Sequence, residues 1–140
     1  NNPSNLGAVL RTAEAADISG VIVSTNSTDA FSSKSIRASM GAAFRIPVWE
    51  KVAFEDMVKW AKENDLLTVA SDISASASYT AIDWTQPRVM IVGSEAHGLD
   101  ASEIAGVDDT ILIPMENGVD SLNLAVATGI ILFEAKRQNG

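Results

Sequence analysis

The chain has 140 residues, 46% of them hydrophobic, with one histidine and no cysteine. That is one domain's worth of sequence with enough apolar content for a core, and it excludes disulfides, Cys-ligated zinc, iron–sulfur clusters and a His-rich metal site, so no metal is expected. The net charge of −8 argues against a simple phosphate-binding surface, which needs Lys and Arg. The charge is uneven, however. Residues 1–45 carry four cations and three carboxylates, whereas six carboxylates between Asp100 and Asp120 have no cation among them. A polyanion would meet the first third of the chain, and the small surplus there calls for extra affinity from a segment outside this chain or from dimerisation. No run of about 18 apolar residues marks a membrane span, and Asn1-Asn2-Pro3-Ser4-Asn5 has neither the basic nor the apolar region of a signal peptide. A cytoplasmic setting is expected.

In chain order, Asn5 to Ala16 reads as a helix with Leu6, Leu10, Ala13 and Ala16 on one face. Val21 to Thr25 reads as a short buried strand, and residues 24–29 as a polar loop. Ser33 to Ala43 is predicted helical, followed by strand residues Pro47 to Trp49. Phe54 to Asn64 has the clearest amphipathic pattern, with Phe54, Met57, Val58 and Ala61 at helical spacing. Leu66 to Ala70 and Val89 to Val92 read as strands on either side of a Ser/Ala-rich loop over 71–81. A short helix over Ala101 to Ala105 and a strand over Thr110 to Pro114 precede a long closing helix from Ser121 to Lys136. Strands separated by helices predict an α/β fold with a mostly parallel sheet flanked by helices. Ligands in such folds sit outside the carboxyl ends of the strands. The closing helix is apolar nearly all round in its first half, so it is covered on more than one side. Either the chain's own layers enclose it or a second subunit covers it.

Three segments carry candidate chemistry. Pro3 fixes the chain before a helix that Asn5 can cap. Gly7 lies one turn below Arg11, and a glycine inside a helix costs about 1 kcal/mol relative to alanine, so it needs a reason. One reason is that Arg11 lies across the bare Gly7 surface toward Asn5; the other reading of Arg11 is a solvated helix charge. Next, Gly93-Ser94-Glu95-Ala96-His97-Gly98 follows a buried strand as a tight turn with exposed backbone groups. It is neither the Gly-x-Gly-x-x-Gly fingerprint nor a P-loop. Glu95 is a candidate orienter. His97 is either a base or an idle loop histidine. Last, Ile113-Pro114-Met115 and Glu116-Asn117-Gly118 lead to Ser121-Leu122-Asn123, where Ser121 can cap the last helix and Asn123 presents an amide at its first turn. Plain helix capping would account for this segment equally well.

Together these segments resemble the three motifs of the SpoU (TrmH) branch of the SPOUT methyltransferases: Asn2-Pro3-Ser4-Asn5-Leu6-Gly7-Ala8-Val9-Leu10-Arg11-Thr12-Ala13, Ile91 to Leu99, and Ile113-Pro114-Met115 with Val119 to Ala127. Arg37-Ala38-Ser39-Met40-Gly41-Ala42 is similar to a secondary stretch of the family. The resemblance covers essentially the whole chain in order and spacing. It implies S-adenosylmethionine-dependent methylation of a ribose 2′-hydroxyl in RNA, in ribosomal RNA or transfer RNA. It also implies a deep trefoil knot near the C-terminus, against the general rule that chains are unknotted, and a homodimer. By the same resemblance Gly93, Ile113 and Leu122 contact the cofactor with Met115 and Ser121 beside it, and Asn5, Arg11, Glu95, Ser121 and Asn123 form the polar catalytic region. Family members carry a strand before the first motif, and many carry an N-terminal substrate-binding domain. Residues 1–140 are therefore expected to be the catalytic domain without either.

The reaction so implied is an in-line attack of the ribose oxygen on an activated methyl group, in which the protein mainly aligns the partners. A guanidinium keeps its proton in proteins, so Arg11 is better read as a clamp on the developing alkoxide or a nearby phosphate than as a base. Two other readings are a non-catalytic RNA-binding module with the same fold and an ordinary α/β nucleotide-binding enzyme such as an oxidoreductase. Intact Asn5, Arg11, Glu95 and Asn123 count against the first, and the missing glycine fingerprint against the second.

Overall fold

The first helix starts two residues earlier than the apolar pattern alone suggests, because Asn2 caps it. Its side-chain oxygen accepts the Ser4 N–H at 2.8 Å, and Pro3 occupies the first helical position. Asn5 is thus inside the first turn of α1 (Pro3–Ala15) rather than at its cap. The computed structural model describes residues 2–25, 27–93 and 98–140. After α1 come β1 (Val21–Ser24), α2 (Ser33–Ala38), a 3₁₀ turn (Ala42–Phe44), β2 (Val48–Val52), α3 (Phe54–Glu63), β3 (Leu67–Ser71), β4 (Arg88–Ile91), α4 (Ala101–Ala105), β5 (Asp109–Ile111) and α5 (Leu124–Asn139).

The helix expected over 33–43 stops at Ala38. Met40 takes a left-handed conformation (φ 55°), its N–H donates to the Arg37 carbonyl and the Gly41 N–H to the Ile36 carbonyl. This is the Schellman closure that satisfies the last helical carbonyls. Buried Ser39 reinforces the break: its hydroxyl donates to the Ile36 carbonyl at 2.8 Å and accepts the Ala43 N–H at 3.4 Å.

The strands pair in parallel, as expected, but among the described residues they form two sheets. One is β1-β2, with Val21 opposite Val48; the other has the order β4-β3-β5, with Leu67 opposite Arg88 and Val69 opposite Asp109. All three strands of the second sheet point the same way, so their carboxyl ends share one edge. Polar groups pin the opposite edge. The Asp108 carboxylate accepts the backbone N–H and the hydroxyl of buried Thr68, at 2.8 and 3.1 Å. The Arg88 guanidinium lies 2.8 Å from the Asp109 carboxylate. Asp109, without a cation near it in sequence, has one in space.

Two apolar clusters form the core. The first gathers Leu10, Ala13 and Ala16 of the α1 region with Val23, Ala42, Ala43, Ile46 and Leu132. The second joins Val69, Trp84, Ile111 and Ile131. Consecutive residues of α5, Ile131 and Leu132, enter different clusters, and partly buried Met90 of β4 packs against both. This explains much of the closing helix's apolar circumference, since two of its sides are covered by its own chain. Burying side chains of this size stabilises by about 1.5–3 kcal/mol each. The C-terminal end of α5 is a polar latch: Gln138 accepts the Trp84 N–H at 2.8 Å and donates to the Ile82 carbonyl, while Asn139 donates to the Trp84 carbonyl. No helix among the described residues is long and apolar enough to cross a membrane.

Candidate active site

The first and third candidate segments meet. The Asn123 side-chain N–H donates to the side-chain oxygen of Asn5 at 3.2 Å across 118 positions of sequence. The same amide uses its oxygen to accept the Ala125 and Val126 N–H groups, at 2.9 and 3.2 Å, so Asn123 is the N-cap of α5. The expected cap, Ser121, lies outside the helix and is exposed. Because α5 begins at Leu124, Asn123 is the first residue able to present an oxygen to the free N–H groups of that turn. The bridge also brings the N-termini of α1 and α5 together. Each carries roughly half a positive charge from its aligned peptide dipoles, so an acidic chain has a local electropositive point here.

Gly7 has a different role from the one its spacing to Arg11 suggested. A Cβ at Gly7 would lie 2.5 Å from both the Ala38 Cβ and the Ser35 carbonyl oxygen, and 2.9 Å from the Ser39 nitrogen. The glycine is there because α2 packs directly on α1. The path over Gly7 toward Asn5 is therefore closed to Arg11. Arg11 is exposed, and among the described residues it makes no ion pair or hydrogen bond. Its neighbour two turns away, Asn5, is tied to Asn123 instead. Farther along α1, Thr12 faces Gly129 of α5, with its methyl 3.5 Å from where a Cβ would sit.

The second segment closes tightly. A Cβ at Gly93 would fall 2.3 Å from the Gly98 carbonyl carbon and 2.6 Å from the Leu99 nitrogen, so only glycine allows the two ends of this turn to touch. Ser94, Glu95, Ala96 and His97 lie outside the described residues. Gly93 follows β4 and Ile113 follows β5, on either side of central β3, so both stand at the shared carboxyl edge. Ile113 packs against the Val69–Trp84 cluster, Met115 is half-buried and Leu122 is exposed. Between them Asn117 (φ 59°) and Gly118 (φ 73°) reverse the chain, with the Val119 N–H donating to the Glu116 carbonyl at 3.2 Å. Two consecutive left-handed residues suit Asn-Gly.

Gly93 and Ile113 stand at the carboxyl edge of the second sheet, and Met115, Ser121 and Leu122 follow on the β5–α5 connection; residues of these types suit a ligand with a flat apolar part and a few polar edges. Two surface hollows, of about 260 and 320 Å³, lie elsewhere: one beyond β1 among Ser24, Thr28 and Glu50, the other at the amino end of β3 around Lys62 and Asp65. Among the described residues no group of three or more His, Cys, Asp or Glu side chains could hold a metal ion. Sequence spacing missed three functional placements: Asn2 as the α1 cap, Asn123 as cap and bridge together, and α2 as the reason for Gly7. The Asn-Pro pair at the start of α1 signalled the first.

Comparison with known proteins gives the same picture. Residues 1–133 match the family described as SpoU rRNA Methylase family. A 23S rRNA (uridine(2479)-2′-O)-methyltransferase of Streptomyces viridochromogenes is 32% identical over 142 residues, covering 98% of this chain and 50% of the relative. The Bacillus subtilis 23S rRNA (guanosine(2553)-2′-O)-methyltransferase RlmP is 30% identical, covering 96% of this chain and 54% of its own length. The crystal structure of an AdoMet-bound rRNA methyltransferase from Sinorhizobium meliloti superposes with a TM-score of 0.90 at 40% identity, over 97% of this chain and 52% of that one. The chain thus spans about half the length of the curated relatives it matches. With helices and parallel strands in the arrangement of those structures and a family match running almost from end to end, the chain belongs to the SpoU rRNA methylase family.

Proposed function

We propose that this chain is the catalytic domain of an S-adenosylmethionine-dependent methyltransferase acting on a ribose 2′-hydroxyl in RNA, with ribosomal RNA favoured over transfer RNA. The observation that carries the reading is the Asn123–Asn5 bridge, which joins the N-termini of α1 and α5 and so brings the first and third motif segments together. The names of the relatives support the ribose, the ribosomal substrate and the cofactor. They are named for uridine and for guanosine at similar identity, so the base is left open. A cytoplasmic setting belongs to the same proposal, since both ribosomal RNA relatives named above are bacterial.

S-adenosylmethionine supplies an already activated methyl group, which leaves alignment to the protein. The Gly93 turn would offer backbone groups to the cofactor's polar edges, and Ile113, Met115 and Leu122 would border its apolar part, with Ser121 beside it. Asn5 and Asn123 hold one another as neutral amides and fix the relative position of α1 and α5. Arg11, exposed and without a carboxylate partner among the described residues, is available to a phosphate or to the oxygen that gains negative charge as its proton leaves. The proton goes to water or a phosphate oxygen, because a guanidinium does not accept it. Glu95 would complete the polar side of the site.

The protein would work as a homodimer. Val126 and Phe133, seven residues apart on one face of α5, are each about half exposed, with no charged side chain between them. That face is left over after α5 has contributed to both apolar clusters, and a second copy would cover it. The C-terminal trefoil knot belongs to the same proposal; the return of the β5–α5 connection to Asn5 supports it. The test is transfer of a labelled methyl group from S-adenosylmethionine to total RNA by the full-length protein, followed by mapping of the label. A single labelled ribose 2′-oxygen is expected. A protein that neither binds the cofactor in a calorimeter nor labels RNA would refute the proposal.

A further inference from the structure

We infer that the surface formed by residues 31–45 is a stacking platform for single-stranded RNA, on which a nucleobase flanking the modified nucleotide packs against the Phe31–Phe44 pair while Lys34 and Arg37 hold neighbouring phosphates. The inference rests on the RNA-modifying reading above. Three large apolar side chains stand in water here: Phe44 at 69% exposure, Met40 at 64% and Phe31 at 40%. The two rings, 13 residues apart, lie 5.9 Å between centroids and are tilted by 39°. Met40, held left-handed although it is not a glycine, turns the chain from α2 into the 3₁₀ turn that carries Phe44 to Phe31.

Charge decides what such a surface fits. Residues 30–49 contain three cations and no carboxylate, in a chain of net charge −8; the flanking Asp29 and Glu50 carboxylates are turned onto the Phe31 and Ala30 backbone N–H groups, each at 2.8 Å. Arg45 is taken up by Glu14, which accepts two of its N–H groups at 2.7 and 2.8 Å. Lys34 and Arg37 have no such partner among the described residues. They are three apart on α2 and both are exposed. Among the other exposed apolar side chains, Val126 and Phe133 of α5 suit a second copy of the chain. Aromatic faces bordered by cations suit bases and phosphates. The location also fits, because α2 lies directly on Gly7, two residues from Asn5.

The experiment titrates a short fluorescein-labelled single-stranded RNA of mixed sequence against the full-length protein at several salt concentrations. Phe44→Ala should weaken binding about tenfold, in the range for loss of one base stack. Lys34→Gln with Arg37→Gln should make the log–log salt slope shallower by about 1.4, for two phosphates of a single strand. Methyl transfer should then show a raised KM for RNA, nearly unchanged kcat and unchanged affinity for S-adenosylmethionine. Wild-type RNA binding by both variants overturns the platform, as does a wild-type protein that binds no RNA. A shift of Phe44→Ala to a smaller species in sedimentation also overturns it, marking the surface as a self-contact. Failure of the wild type to bind cofactor or transfer methyl groups sinks the enzymatic reading instead, and the RNA titration still judges the platform.

Discussion

Alanine at Gly7 and alanine at Gly129 should change stability in opposite directions, although both glycines lie inside helices. In each helix the exchange alone gains about 1 kcal/mol of propensity. At Gly129 the new Cβ would meet only the Thr12 methyl, at 3.5 Å, an ordinary contact distance between carbons. Gly129→Ala should therefore stabilise by roughly 0.5–1 kcal/mol. At Gly7 the new Cβ would lie 2.5 Å from the Ser35 carbonyl oxygen and from the Ala38 Cβ, about 1 Å inside contact. Neither atom is at the end of a flexible side chain, so α1 and α2 must separate. Overpacking of this kind costs typically about 1–3 kcal/mol, occasionally more, and with backbone as the obstacle we expect its upper end. The net expectation for Gly7→Ala is a loss of about 2 kcal/mol. Urea denaturation at fixed protein concentration measures both, since midpoint and slope separate stability from altered unfolding. Moving α1 should also disturb the Asn5–Asn123 bridge, and a shift near 1 Å can cost about a hundredfold in rate. A Gly7→Ala protein as stable as wild type would show that α2 does not press on α1 as described.

Arg11→Lys keeps the charge but loses the planar fork; turnover in the methyl-transfer assay should fall strongly while calorimetry finds nearly unchanged cofactor affinity, and wild-type turnover would refute the clamp role. Asn123→Ala loses both the cap, worth about 1 kcal/mol, and the bond to Asn5, whereas Asn123→Asp keeps the capping oxygen and loses only the N–H donated to Asn5, so it should cost less; thermal melts at one concentration separate them, and equal losses would contradict the capping geometry. The Ser35 hydroxyl is buried with no hydrogen-bond partner among the described residues, so Ser35→Ala should leave stability unchanged or raise it by up to about 1 kcal/mol, and a clear loss would reveal a partner. The paired Arg137 guanidinium, with the Gln138 amide, holds the Glu134 carboxyl down at about 2 against an ordinary 4.5. A depressed carboxyl stabilises the fold above its unfolded value and loses that contribution as pH falls through its folded one. The stability profile should therefore drop between about pH 4.5 and 2 and flatten there in Glu134→Gln; identical profiles would rule the pairing out.

The sequence by itself determined the kinds of elements and most of their positions. The apolar spacing over 54–64 and the Val-rich strands are encoded by neighbours a few residues apart, where side-chain period and backbone preference act. The ordered motifs also marked the family, because residue types and spacing suffice for that. Tertiary structure alone decided which residues meet. The Asn5–Asn123 bond spans 118 positions, the division of the strands into two sheets depends on how the chain returns, and Gly7 is explained by a second helix that no local pattern places against it. Arg11, one helical turn from Gly7, shows the difference: spacing offered it a path across the glycine, and the close approach of α2 took that space. Contacts so distant in sequence follow from topology and packing volume, which local periodicity does not contain.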